Sequence, residues 1–427
     1  MERILSAQAI PWIFLAVSLV GATFTLSALL RARKLFVFIV PYFFGAWLTG
    51  ELALHHLAWQ VVASIVFMAL GALQSWPGLL GLAITLASWV GLLALHRRGM
   101  GAVASFERSL RDGLGEAYQD VEPLPEQAPL QQWVRPFRLR QAGVERIADL
   151  AYADGGERNL LDVIRSRVPA AGRPILLQIH GGAWVISRKE HQGQPLMNEL
   201  ALRGWLCVAP NYRLSPQATF PDHLIDVKRA LAWIREHAAA YGGDPRFVAV
   251  TGGSAGGHLA SLVALTANDP EYQPGFEEVD TSVSACVPFY GVYDLLDRHG
   301  FRGFQSPVPF FERVLMKCSP EEQRERWERA SPTSRVHADA PPFLVIHGTH
   351  DCLAFVEDAR EFVRALRDVS RKPVVYAELP GAQHAFDIFH SPRSRHAVNA
   401  TARFLEYVRS GSQARLDSES PPQERQA

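Results

Sequence analysis

The first hundred residues of this chain are almost free of charge, and this limits what they can fold into. Between residues 4 and 96 the only ionic side chains are those of Arg31, Arg33, Lys34 and Glu51. A soluble helical core would need a polar outer surface that this region lacks. The sequence therefore predicts an all-helical transmembrane region over residues 1–98.

Four apolar blocks divide this region, and a membrane-crossing helix needs about 20 such residues. The blocks are residues 10–30, 35–50, 57–73 and 79–95. The first is too long for the core of a signal peptide and is followed by no clear small-residue cleavage site, so we expect a retained helix. We predict four crossings, with three as the alternative.

The basic residues at the two ends of this region do not agree with a four-crossing arrangement. Arg31, Arg33 and Lys34 follow the first block, and Arg97 and Arg98 follow the last. Positive charge favours the cytoplasmic side. Four crossings would put these two groups on opposite sides and three would put them on the same side, so the side that holds the rest of the chain stays open.

Beyond residue 98 the chain changes character. We expect residues 99–139 to be a linker, because 99–120 has modest amphipathic spacing, suited to a helix on the membrane surface, and 123–136 contains four prolines. From 140 to 410, strand and helix signals alternate, which predicts an α/β fold with a mostly parallel sheet covered by helices. The polar residues 411–427 read as a disordered tail.

The predicted strands end in loops that should carry the functional groups. The strands are residues 147–152, 160–164, 175–179, 205–209, 247–250, 285–289, 343–346 and 374–379, and the helices are 223–241, 257–267, 354–369 and 395–409.

Composition excludes some classes of partner. The net charge is zero and no basic patch is mixed with aromatic residues, so nucleic acid is not expected. Four widely spaced cysteines, Cys207, Cys286, Cys318 and Cys352, form no C-x-x-C pair. We interpret them as buried thiols rather than metal ligands, with one disulfide left open.

Ser254 is the candidate nucleophile. An apolar stretch, residues 247–250, is followed by Gly-Gly-Ser-Ala-Gly and a helix-prone segment, which fits the G-x-S-x-G turn between a strand and a helix. Such a turn exposes the serine hydroxyl at the edge of a sheet. The alternative is an ordinary glycine turn, so the interpretation depends on partners elsewhere in the chain.

A second glycine-rich loop follows an earlier strand. His180, Gly181, Gly182, Ala183 and Trp184 come directly after residues 175–179. Backbone N–H groups of small residues can approach a substrate oxyanion closely. We therefore predict Gly181 and Gly182 as oxyanion donors, with the N–H of Ala255 as the third, and expect His180 to orient the loop.

A serine hydroxyl needs a base, and the base needs an orienting acid. His384 follows the last predicted strand, and Asp351 follows the strand before it. The order Ser254, Asp351, His384 is the one expected for a serine hydrolase on an α/β sheet. Four competing residues remain open: Glu357 and Asp358 as the acid, and His350 and His390 as the base.

Several motifs together resemble the α/β-hydrolase superfamily, and within it the hormone-sensitive-lipase-like carboxylesterases. They are HGGAW at 180, NYRLSP at 211, GGDP at 242, GGSAGG at 252, HGTHD at 347 and GAQHAF at 381. The resemblance covers residues 140–410 and implies a serine carboxylesterase that needs no metal or organic cofactor. Gly253 departs from it, since many of these esterases carry an acidic residue there. The apolar N-terminus is similar to that of membrane-tethered bacterial esterases.

The sequence indicates only the general class of the substrate. Residues 291–340 form a long insertion that we predict to be a cap over an apolar acyl pocket, and its apolar residues include Phe301, Phe304, Phe310, Phe311, Val314 and Leu315. An ordinary packed excursion is the alternative. We expect esters with short to medium acyl chains as substrates and the lipid bilayer as a partner. Acyl transfer, peptidase activity, or a membrane interaction protein with a vestigial hydrolase domain remain alternatives.

Overall fold

An eight-stranded sheet organises the larger part of the molecule. The structure is a computed structural model that describes residues 8–31, 39–123, 130–303 and 306–419. The strands run in the order β1-β2-β4-β3-β5-β6-β7-β8. Their bounds are β1 Val144–Ala151, β2 Leu160–Ser166, β3 Arg173–Ile179, β4 Leu206–Pro210, β5 Gly243–Gly253, β6 Ala285–Phe289, β7 Phe343–Gly348 and β8 Val374–Leu379.

Six of these strands, β3 to β8, are parallel to one another, and β2 pairs antiparallel with both β1 and β4. The predicted mostly parallel sheet is confirmed. Because the parallel strands are buried on both faces, their sequences are nearly continuous apolar stretches. Their carboxyl ends meet at one edge, which places the loops after β3, β5, β7 and β8 close together.

Helices cover both faces of the sheet. The helices of the chain are α1 Ile10–Leu29, α2 Ile39–Glu51, α3 Ala53–Ala69, α4 Trp76–Met100, α5 Ala102–Leu114, α6 Leu130–Val134, α7 Gln194–Leu202, α8 Asp222–His237, α9 Ala255–Leu265, α10 Val308–Phe310, α11 Arg324–Arg329, α12 Val356–Val369 and α13 Pro392–Glu419. One face packs against α8, α9 and α12, and the other against α5, α7 and α13.

The region expected to be a linker contains a helix of the sheet-covering layer. Phe106, Leu110 and Leu114 of α5 are buried in the same core as Val375 of β8. A Cβ on Gly113 would lie 2.7 Å from Cγ2 of Val375, so the helix backbone approaches the strand closely. An amphipathic pattern fits a protein core and a membrane surface equally well, and here its apolar face packs on protein.

The last helix also differs from the expectation. α13 begins at Pro392 and continues to Glu419. Most of the segment that we predicted to be a disordered tail, residues 411–427, is thus a helical extension. Residues 420–427 lie outside the described part of the chain.

The described helices provide fewer candidate membrane spans than the four crossings predicted, and their number fits the three-crossing alternative. α1 and α4 are each long and apolar enough to cross a bilayer, while α2 and α3 meet at an angle of 93° and together provide one further span at most. α2 has 13 residues, too few to cross a hydrocarbon core of about 30 Å. The described helices therefore allow two or three crossings.

α1 and α4 run parallel to each other. The Trp12 and Trp76 rings, each at the start of its helix, lie 5.2 Å apart, and the Thr25 hydroxyl is 2.7 Å from that of Ser88 further along. If α1 and α4 both cross a bilayer, the chain has to return between them, which corresponds to the three-crossing alternative. Arg31 and Arg97, at the two carboxyl ends, then lie on the same side.

The insertion between β6 and β7 is an irregular excursion that packs on the loop after β3. Phe311 and Leu315 are buried in the core, and the Phe311 ring meets the Trp184 ring edge to face at 5.7 Å. Phe301 and Phe310 are partly exposed. Phe304 lies outside the described residues. All four cysteines are buried free thiols.

Candidate active site

Ser254 occupies a strained turn between β5 and α9. Its φ and ψ are 59° and −121°, a conformation that costs an L-residue energy and projects its side chain away from the sheet. A Cβ on Gly256 would lie 2.2 Å from the carbonyl oxygen of Ile179, so no side chain fits there. The Ser254 N–H donates to the carbonyl of Phe289 at 3.0 Å and fixes the turn.

Asp351 and His384 meet in a direct hydrogen bond. His384 Nδ1 lies 2.7 Å from Asp351 Oδ2, and both side chains are almost fully buried. The other carboxylate oxygen accepts the backbone N–H groups of Leu353 at 2.9 Å and Ala354 at 2.8 Å. These bonds fix the carboxylate and turn the imidazole so that its Nε2 is available to a nucleophile.

Asp351 is held in its charged form. Burial alone would raise the pKa of Asp351, but the neighbouring charge of His384 and hydrogen bonds from His347 and His384 hold that pKa well below its usual range. An ionised carboxylate in this position can orient the imidazole and can stabilise an imidazolium.

Tyr290, at the end of β6, links the serine turn to the histidine loop. Its ring centroid lies 4.5 Å from that of His384. A Cβ on Gly253 would come within 2.7 Å of its hydroxyl oxygen, so Tyr290 also packs on the residue before Ser254. No hydrogen bond joins Ser254 Oγ to His384 Nε2 within the described residues. Such bonds are often long without substrate and tighten when it binds.

The three predicted oxyanion donors are not equivalent. The N–H of Gly181 donates to Oε1 of Gln192 at 2.6 Å and is therefore already occupied. Gly182 has a φ of 111°, which lets the loop turn beside Ser254. Ala255 is the first residue of α9, where backbone N–H groups have no partner within the helix. Gly182 and Ala255 remain candidate donors.

His180 lies beneath this loop. Its ring stacks on Tyr212 at 4.3 Å, its Nδ1 lies 2.8 Å from the carbonyl of Gly181, and it is buried. Burial lowers the pKa of His180 to about 4, so the ring is neutral near pH 7. These contacts suit the orienting role expected from the sequence.

The competing acids and bases have other partners. Glu357 pairs with Arg31 at 2.8 Å, and Asp358 forms a buried ion pair with Arg302. Burial lowers the pKa of both His350 and His390, each of which is half-buried or more. Of the three candidate acids, only Asp351 contacts His384 within the described residues.

Sequence reasoning missed Gln383. Its Oε1 accepts the N–H groups of Cys352 at 2.8 Å and His384 at 3.0 Å, which ties the acid loop to the base loop. Its position directly before His384 was a usable signal, since neighbours of a catalytic residue often hold its loop.

Asp387 was also missed. The Tyr290 hydroxyl donates to Asp387 Oδ1, and burial raises the pKa of Asp387 to about 6. Together with the ring contact between Tyr290 and His384, this places a second carboxyl group one side chain away from the imidazole.

A helix of the apolar N-terminal region, α2, completes the surroundings of His384. The Phe43 ring of α2 lies 6.4 Å from the imidazole, and the Trp47 indole N–H donates to the carbonyl of Ala385 at 2.9 Å. The sequence carries no signal for these contacts, because residues this far apart in the chain meet only in the folded protein.

A cluster of three acidic residues outside the serine turn has the spacing of a metal site. Asp149, Asp162 and Glu190 lie close together, but the ammonium group of Lys189 is within 3.1 Å of an oxygen of each. Because this ammonium group offsets their charge, the cluster suits an ion pair network better than a cation.

Comparisons with known proteins identify relatives of this chain among esterases. A family model described as BD-FAE matches residues 161–366, which contain Ser254 and Asp351. The probable carboxylic ester hydrolase LipM of Mycobacterium tuberculosis is 47% identical over 336 residues, covering 75% of this chain and 76% of LipM. Esterase LipQ of the same organism is 48% identical over 263 residues, covering 61% of this chain and 62% of LipQ.

Among solved structures, esterase B from Lactobacillus rhamnosis superposes with a TM-score of 0.56 at 19% identity, covering 75% of this chain and 99% of that one. At this identity the match concerns the fold alone. The LipM match is extensive in both chains. The chain therefore belongs to the α/β-hydrolase superfamily, in the group of carboxylic ester hydrolases that contains LipM.

Proposed function

We propose that this chain hydrolyses carboxylic esters through an acyl-enzyme formed on Ser254. The observation that carries the proposal is the 2.7 Å hydrogen bond between His384 and Asp351 at the sheet edge where the serine turn exposes Ser254. A charged, buried Asp351 and a serine in a strained turn are the parts that such chemistry requires.

In the proposed mechanism, His384 Nε2 removes the proton from the Ser254 hydroxyl as its oxygen attacks the ester carbonyl. The N–H groups of Gly182 and Ala255 stabilise the oxyanion that develops. The imidazolium then gives its proton to the departing alcohol. Water, activated by the same imidazole, attacks the acyl-enzyme and releases the carboxylic acid and the free serine.

The proposal includes a multi-pass membrane protein with its catalytic part on the cytoplasmic side. α1, α3 and α4 would be the three spans. Arg31 and Arg98 both lie beside the catalytic part, since Arg31 pairs with Glu357 and the Arg98 side chain packs against Gly381. Positive charge at the inner ends of spans supports this orientation.

Hydrolysis of p-nitrophenyl esters by membrane fractions tests the proposed chemistry. Wild-type membranes should release p-nitrophenol, and Ser254→Ala should abolish the release at equal expression of the protein. Ser261→Ala, on α9 and buried away from the turn, is a matched control that should retain the release. Turnover that persists in Ser254→Ala would refute the assignment.

A further inference from the structure

α2 lies at the edge of the sheet where the site is, and two residues of its carboxyl-terminal half, Trp47 and Glu51, anchor it there. Trp47 donates to the carbonyl of Ala385, the residue after the catalytic base. Glu51 forms a buried ion pair with Arg393 at 2.7 Å and accepts a hydrogen bond from Ser391 at 2.8 Å. This helix is therefore part of the site, although it belongs to the N-terminal apolar region.

Aromatic rings lead from the imidazole to the surface. We call Phe43, Trp47, Phe389 and Phe137 the aromatic row. Phe43 is 6.4 Å from the His384 ring and stacks on Trp47 at 5.5 Å. Trp47 is 5.2 Å from Phe389, and Phe389 is 4.9 Å from Phe137, of which 61% is exposed.

The surface on which this row ends is apolar. α2 exposes Val40, Phe44 and Leu48, and the segment 130–137 exposes Leu130, Val134 and Phe137. We call these six residues the apolar rim. Exposed apolar side chains clustered in this way mark a contact with another apolar phase.

The position of the rim identifies that phase. One residue, Leu52, separates the end of α2 from the start of α3, and the Trp133 ring of the second segment lies 5.8 Å from the His96 ring near the end of α4. The second part of the rim is thus joined to α4, which is long and apolar enough to cross a bilayer, and the first part belongs to the bent pair of α2 and α3, which together are long and apolar enough for one span. The bilayer surface is the apolar phase continuous with them.

We propose that the apolar rim lies in the membrane interface and forms the substrate entrance, and that the substrate is an ester whose hydrocarbon chain is dissolved in the bilayer. The chain enters between α2 and the segment 130–137 and passes along the aromatic row. Its ester carbonyl then reaches Ser254 beside Phe43 and His384.

The chemistry of the chain suits this route. Each methylene group favours transfer from water to hydrocarbon, so an ester with a medium acyl chain already concentrates in the membrane. Aromatic side chains give such a chain an apolar path with few degrees of freedom to lose. A route through water would instead expose the hydrocarbon chain to solvent between the bilayer and the site, which is unfavourable.

The inference rests on the proposed function, and its test compares two esters. The full-length protein in lipid nanodiscs is assayed with water-soluble p-nitrophenyl acetate and with p-nitrophenyl laurate dissolved in the bilayer. The test variant is Phe44→Asn with Leu48→Asn. The control is Val62→Asn with Val90→Asn, since Val62 and Val90 lie on α3 and α4 and are more exposed than Phe44 and Leu48.

In the test variant we expect the laurate rate divided by the acetate rate to fall by about tenfold or more. This factor corresponds to the loss of the apolar contact that Phe44 and Leu48 make with the laurate chain. In the control we expect this ratio to stay at the wild-type value. An unchanged ratio in the test variant, or an equal fall in the control, would overturn the inference. Hydrolysis of neither ester by the wild type would refute the proposed function instead.

A depth measurement covers the case in which the test variant does not fold. Phe44→Cys is labelled with a bimane fluorophore, which the four buried native cysteines do not compete for. Lipids carrying a nitroxide near the headgroup should quench this label more than aqueous iodide does. Stronger quenching by iodide would place α2 in water and overturn the inference.

Discussion

Glu51 and Arg393 form an ion pair of 2.7 Å in which each side chain is 1% exposed. Glu51 is the last residue of α2, and Arg393 is the second residue of α13, the helix that follows the loop of His384. Arg393 Nη1 also lies 3.4 Å from the carbonyl of Gly50. The pair therefore fastens α2, in the apolar N-terminal region, to the part of the chain that carries the proposed base His384.

Removing one member of the Glu51–Arg393 pair should lower the free energy of unfolding more than removing both. Glu51→Leu leaves the Arg393 guanidinium buried and unpaired, and we expect a loss of about 3–5 kcal/mol in the free energy of unfolding. Glu51→Leu combined with Arg393→Leu should recover much of that loss. Thermal unfolding in detergent or nanodiscs measures both. Equal destabilisation of the single and the double variant would show that the pair is not the anchor.

Asp351→Asn should lower kcat by about 10³ to 10⁴-fold. An amide can donate to Nδ1, which would put the imidazole proton on Nε2 and leave no base facing Ser254. The measurement is steady-state ester hydrolysis, and KM should change little. Glu357→Gln is the matched control, since Glu357 pairs with Arg31 outside the site, and it should keep near wild-type kcat. A large effect in the control alone would favour Glu357 as the acid.

Asp387 should make stability depend on pH. Burial raises the pKa of Asp387 to about 6. Its protonated form is therefore favoured by folding, and this stabilisation is complete below pH 4 and is lost as the pH rises through 6. Relative to Asp387→Asn, the wild type should lose about 2 kcal/mol of unfolding free energy between pH 4 and pH 7.

Thermal midpoints of the two proteins across this range give the difference. Asp154→Asn, at an exposed carboxylate, is the control and should follow the wild type at each pH. A constant difference between wild type and Asp387→Asn would contradict the assignment of a buried carboxyl group whose pKa is raised.

The catalytic part should lie in the cytoplasm. A green fluorescent protein fused after residue 419 should fluoresce, and alkaline phosphatase fused there should be inactive, because it needs an oxidising compartment for its disulfides. A phosphatase fused at Gly71, in the turn between α3 and α4, should be active. The opposite pattern would reverse the orientation inferred from Arg31 and Arg98.

Much of the catalytic part could be predicted from the sequence because its signals are local. Ser254 lies between glycines that a strand-to-helix turn requires, and Asp351 and His384 each follow a strand of the same parallel sheet. The order of these residues along the chain and their positions at strand ends can both be recognised in the amino-acid sequence.

Other features depend on contacts that no local pattern records. The amphipathic face of α5 is compatible with a membrane surface or with protein, and only the position of β8 decides between them. Small residues pointed to Gly181 as a donor, yet its N–H is bonded to Gln192, eleven residues later. Glu51 and Arg393 are 342 residues apart in the chain.

The site is tested most directly by mapping the adduct of a fluorophosphonate probe in intact membranes by mass spectrometry. We predict a single adduct on Ser254 that disappears in Ser254→Ala and forms at least about 10³-fold more slowly in His384→Ala. An adduct on another residue, or labelling of His384→Ala at the wild-type rate, would contradict the account.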